Sequence, residues 1–145
     1  MKGMTSVVQN VARLILGFVF LYGLYVVVTG HLSPGGGFAG GVIMMSGIAM
    51  AILAFGGDRT RELVAENRCH VADGGGALVF VVVALLGLFG GGFFTNFLST
   101  GSVHKFISGG TILLANLAIG IKVAAGLTGI FLALVLATRK AMPKE

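Results

Sequence analysis

Lys122 is the first residue of this 145-residue chain whose type and place could do chemistry, because it stands in the middle of a long apolar run. A charged lysine at mid-membrane costs about 2.5–3.5 kcal/mol on insertion scales. Ala115, Ala118, Lys122, Ala125 and Gly129 follow helical three-four spacing, so the lysine lies on a stripe of small residues that suits close packing against protein. Such an amine faces a carboxylate or water path in a partner, or burial holds it neutral. His31 is the second candidate: its ordinary pKa near 6.5 suits proton handling, and a helix start at Ser33 would disfavour its charged form. The same histidine could simply bond to loop carbonyls. Asn116 could hydrate or coordinate a cation, or bridge two helices, but it lies well round the helix from Lys122.

Acidic partners for Lys122 are not expected within the chain. The five acidic residues are Asp58, Glu62, Glu66, Asp73 and Glu145, all placed by their surroundings in a middle loop or at the C-terminus. An autonomous antiporter needs an intramembrane carboxylate, so this distribution argues against one, and against a small four-helix drug exporter. Cys69-His70 lacks the second ligand pair of a zinc site, and no metal is expected. Catalytic nucleophile sets, paired carboxylates and haem signatures are absent, and no cofactor is implied.

The elements that must position these residues are membrane helices. The chain is 56% hydrophobic with a mean hydropathy of +1.00, and four spans of roughly 20 residues fill it with little left over. The expected fold is an all-α bundle of four transmembrane helices in one domain, 1–145, with helices at about 6–29, 34–55, 77–94 and 109–137. Met1-Lys2 precedes an apolar run without a small-x-small cleavage site, so that run reads as the first span. Arg13 snorkels from its first turns. On the second helix Gly37, Gly40, Met44, Gly47, Ala51 and Ala54 make a seam of mostly small residues. Residues 56–76 read as a solvated, charged loop holding Cys69, and His104 and Lys105 fall in a short outer loop. Lys2, Arg59, Arg61, Arg68, Arg139, Lys140 and Lys144 oppose a single Lys105, so the positive-inside rule places both termini and the middle loop in the cytoplasm. The formal charge of +5 then reports topology and implies no nucleic-acid partner.

The most distinctive stretch is Gly30-His31-Leu32-Ser33-Pro34-Gly35-Gly36-Gly37-Phe38-Ala39-Gly40-Gly41. Gly30 stops the first helix; Ser33 and Pro34 suit the N-cap and first residue of the second. Gly35-x-Gly37-x-x-Gly40 matches the dinucleotide fingerprint only formally, because that motif needs a preceding strand, and no Gly-Lys-Ser/Thr follows for a phosphate loop. The run reads as a tight hairpin whose second arm starts with bare backbone.

The pattern Gly-His-x-x-Pro-Gly-Gly-Gly-Phe-x-Gly-Gly resembles the signature of the MnhB family, the B component of the Mrp-type multisubunit sodium/proton antiporter. The resemblance runs through Val42 to Gly56 and returns in Gly110 to Val123, in a version of the last helix also typical of B-like subunits in ion-pumping membrane hydrogenases and related redox complexes. Ala39 departs from the glutamine of several relatives. The resemblance implies a non-catalytic multi-pass subunit of the cell membrane, packed between larger ion-conducting subunits and lining part of an ion path for sodium and protons, with lipids around it. Under it, Pro34, Gly35, Gly36, Gly37, Phe38, Gly40 and Gly41 are packing residues, and Lys122, His31 and Asn116 are ion-path or coupling candidates. A redox-driven host complex, a small homo-oligomeric transporter and a purely structural assembly factor remain as alternatives.

Overall fold

A computed structural model describes residues 3–32, 34–56, 66–98 and 109–141. Within them the chain is helical: α1 (Ser6–Val28), α2 (Gly36–Phe55), α3 (Glu66–Leu86) and α4 (Thr111–Ala141). A short 3-10 turn, Gly87–Gly90, prolongs α3. All four helices are long and apolar enough to cross a membrane. In space α1 packs on α2, α2 on α4 and α4 on α3, with α1 touching α4 only lightly.

The bundle is held by close backbone approach more than by a thick core. Its buried apolar residues are mostly small, including Ala12, Ala54, Ala84, Ala115 and Ala118, while Leu14, Phe18, Leu78 and Phe89 point outward. In a bilayer those outward side chains lie in lipid and add nothing to helix association, so small residues that let helices touch must supply it. α2 carries two such seams, where a single small face was expected. A Cβ on Gly40 would run into Val27 and lie 2.7 Å from the carbonyl oxygen of Gly23 on α1. A Cβ on Gly41 would lie 2.8 Å from the carbonyl oxygen of Gly120 on α4.

Several expected helix boundaries move: α1 ends at Val28 instead of 29, α4 runs Thr111–Ala141 instead of 109–137, and the larger changes are at α2 and α3. Helix α2 begins at Gly36 instead of residue 34, because its N-cap is Gly35 with a φ of 129°, a conformation foreign to other residues. Pro34 precedes the helix, and Ser33 lies outside the described residues. Helix α3 begins at Glu66, eleven residues before the expected 77, so the second half of the supposed solvated loop is helical. The apolar side of that extra length explains it: Cys69 is buried with Ile52 and Leu132. The thiol expected in an open loop is therefore inside the bundle. The rest of that loop, with Asp58, Arg59, Arg61 and Glu62, lies outside the described residues, as do His104 and Lys105.

The far end of α3 stops at Leu86 instead of 94. Gly91, with a φ of 104°, turns the chain there and donates to the Leu88 carbonyl. Phe94 then folds back, its N–H on the Ala84 carbonyl at 3.2 Å and its ring 5.4 Å from that of Phe80. The chain so returned brings Asn96 to the start of α4, where its Oδ1 accepts from both the N–H and the hydroxyl of Thr111 at 3.0 Å. This is a helix cap supplied from outside the helix.

A candidate intramembrane ion pair

Helix α3 and helix α4 meet where both lack bulk. A Cβ on Gly76 would lie 2.9 Å from the Ala118 carbonyl oxygen and 2.9 Å from the Lys122 Cβ. Asp73, almost one turn before Gly76, reaches across that contact, and the Lys122 Nζ donates to its Oδ1 at 2.7 Å. Gly126 lies under the same oxygen; a Cβ there would be 3.4 Å away. Two positions without side chains thus let an aspartate and a lysine on neighbouring helices meet.

Both partners lie inside apolar spans, Asn67–Gly90 and Thr111–Thr138. At 1.5 Å per residue Asp73 sits about 10 Å along α3 from Glu66, and Lys122 about 16 Å along α4 from Thr111. The expectation that nothing in this chain could neutralise Lys122 is overturned, and Asp73, expected in a loop, lies within a helix long and apolar enough to cross a membrane. The loop reading of Asp73 fails because it takes the three glycines that follow as a break. The signal against it is present in the sequence: Cys69, Ala72, Asp73, Gly76, Phe80 and Val83 keep the three-four spacing of one helix face.

The pair is not enclosed by its own chain. The Lys122 side chain is 45% exposed and that of Asp73 38%. An exposed pair in water contributes at most about 1 kcal/mol, whereas in hydrocarbon each charge is expensive unless matched. His70, exposed, lies on the same side of α3 as Asp73, nearly one turn toward the helix start. Arg68 turns to the other flank, lining a cleft with Phe20, Met44 and Thr128.

The other two candidates lie elsewhere. Asn116 is about 9 Å away from Lys122 along α4, toward its start, and on the α2-facing side, where its Oδ1 accepts a long 3.5 Å bond from the Gly37 N–H. It thereby serves the first turn of α2 in place of a side-chain cap at Gly35. Its Nδ2, against Gly30, is buried with no hydrogen-bond partner within the described residues. His31, half-buried in the turn after α1, lies against Gly109, whose added Cβ would meet the imidazole Cγ at 2.9 Å. Neither residue joins Lys122 in one site. The hairpin motif itself divides by direction: Gly36, Gly37, Gly40 and Gly41 are buried, while Pro34, Gly35 and Phe38 face out. No group of three or more metal-ligating side chains occurs among the described residues.

Comparison with known proteins gives these features a family. The family described as "Domain related to MnhB subunit of Na+/H+ antiporter" matches residues 7–129. A Na(+)/H(+) antiporter subunit of Bacillus subtilis, the B component of its complex by name, is 34% identical over 92 residues, covering 62% of this chain and 63% of that protein. An uncharacterised protein of Methanocaldococcus jannaschii is 32% identical over 114 residues, 73% of this chain and 43% of that one. Among solved structures, a chain of the membrane-bound sulfane sulfur reductase, an archaeal respiratory membrane complex, aligns with a TM-score of 0.75 and 32% identity over 90% of this chain and 57% of that chain. The chain therefore spans less than two thirds of each of these relatives. Four apolar helices and these relatives make it a multi-pass protein of the cell membrane. With the match running from α1 through most of α4, the chain belongs to the MnhB family.

Proposed function

We propose that this chain is a non-catalytic subunit of a sodium/proton antiporter module, packed among larger ion-conducting membrane subunits, with the Asp73–Lys122 flank turned toward a partner or a hydrated cavity. The half-exposed ion pair within two apolar spans carries this reading. A pair facing lipid would leave two charged groups partly bare in hydrocarbon, and intramembrane charges face bundle interiors or water. The outward Pro34 and Phe38 add a second patch open to a partner. His31 and Asn116 are assigned to the hairpin end of the path, His31 for proton handling and Asn116 for hydration of a cation. The positive-inside rule puts both termini in the cytoplasm and the hairpin outside.

Co-purification tests the assignment. The tagged chain should run in a large hetero-complex; a small homo-oligomer would reject it in favour of an autonomous transporter. Within the complex Lys122→Ala should impair sodium/proton exchange without loss of assembly, and Lys122→Arg should rescue only partly, since arginine keeps its proton. For orientation, a cysteine at Leu32 or Ser102 should label only from outside and one at Asp58 only from within; opposite labelling reverses the topology. A second host is favoured by the likeness to a chain of a respiratory complex. Redox subunits in the purified complex would select that host.

A further inference from the structure

We propose that Asp73 is a proton-carrying carboxylate and Lys122 its built-in counter-ion, the pair alternating between a closed ion pair and a proton-loaded, open form. The inference rests on the subunit reading above and gives that face its transported species. Four observations converge on it.

Nζ and Oδ1 are 2.7 Å apart, so the closed form is the one seen. Both groups lie inside apolar spans, so the ionised pair depends on mutual contact for its charge balance. At Gly76 the two helices abut, and the half-exposed side chains meet at the rim of that contact, so they can part outward without moving a helix. His70 lies on the Asp73 side of α3 nearly one turn toward the helix start, and it is exposed. A proton therefore has an approach to Asp73 from the side of the exposed His70.

Among the described side chains, few other charged or titratable groups face this place. On α3 the one beside Asp73 is His70, and on α4 it is Lys122. Arg68 lines the opposite flank, and Arg13 of α1 lies over the Phe55 ring at 5.5 Å. The donor set suits a proton over a metal cation. Hard cations take six or so oxygen ligands, and among the described residues this site offers one carboxylate beside an ammonium.

A proton arriving by way of water at His70 bonds to a carboxylate oxygen of Asp73, and the Lys122–Asp73 hydrogen bond breaks. Nζ keeps its three protons and turns to another acceptor, so the site goes from net neutral to one positive charge. Loss of that proton onward restores the carboxylate and closes the pair.

The test compares Asp73→Asn, Lys122→Met and the double variant in the purified complex, reconstituted into vesicles with an internal pH dye. A merely structural pair is dispensable once both charges go, and the double variant would then exchange at the wild-type rate. A proton-carrying Asp73 predicts the opposite: the double variant assembles, yet exchange falls about a hundredfold, the lower range for a lost proton-transfer group. Asp73→Glu should restore exchange with a displaced pH profile. Infrared difference spectra on acidifying the wild-type complex supply a reading independent of assembly of the neutral variants. A protonated-carboxyl band should appear, and it should shift in Asp73→Glu. Wild-type exchange by the double variant, or no such band, overturns the proposal. Absence of the chain from any large complex instead refutes the subunit reading.

Discussion

The seam between α2 and its neighbours and the seam between α3 and α4 are built from the same material and end differently. At the first, Gly37, Gly40 and Gly41 are buried, and the polar side chain of Asn116 is turned to the backbone of the hairpin. At the second, Gly76, Ala115 and Ala118 are just as buried, but the polar side chains brought together stay half-exposed at the rim. Close approach in the first region closes the bundle. In the second it positions two charges at a surface poorly suited to lipid, the surface that the proposed function turns toward another subunit or water.

The largest expected effect belongs to the closed seam. Gly40→Leu places a branched side chain against the Gly23 carbonyl and Val27 and should destabilise by about 3 kcal/mol or more. Assembled complex on a native gel should be lost; an intact, active complex would mean that α1 and α2 do not meet there. Next comes the open seam. Lys122→Ala strands Asp73 in the membrane, with about 2.5–3.5 kcal/mol of insertion cost and lowered thermal stability in detergent, if water or a partner does not compensate. A stability change near zero alongside lost exchange marks the rim as hydrated. A drop with normal exchange makes the pair structural.

Caps give a smaller, symmetrical pair of outcomes. Asn96→Ala removes the acceptor for Thr111 and should cost about 1 kcal/mol; Asn116→Ala removes only a 3.5 Å bond and should cost less. Equal losses would show that Asn116 does more at the hairpin than cap α2. The smallest effect carries the opposite sign. Nothing lies within 4 Å of an added Cβ on Gly74, so Gly74→Ala should stabilise the isolated chain by about 0.5–1 kcal/mol. Raised melting temperature together with a poorer yield of complex would locate a partner on that side of α3.

Much of this molecule is legible without coordinates. Four apolar runs, a glycine-rich hairpin and a lysine on a small-residue stripe are local patterns, and local patterns survive into the fold because lipid enforces helices wherever the chain is apolar. Lys122 does lie on the face that meets α3. What cannot be read locally errs in a consistent direction. Gly74-Gly75-Gly76 looks like punctuation, since glycine lowers helix propensity by about 1 kcal/mol per residue. The helix runs through them because Gly76 is needed against Ala118 and Lys122, a contact between residues more than forty positions apart.

The amino-acid sequence alone determined the class of protein, the number of spans and the residues rich in chemistry, because hydropathy and helical period are properties of neighbouring residues. Only the tertiary structure decided that Asp73 pairs with Lys122, that Cys69 is buried, and that Asn116 and Asn96 serve helices other than their own local turn. Each of those facts depends on which helix faces which and at what height. That choice is made by the fit of small residues between distant segments, and no window along the chain contains it.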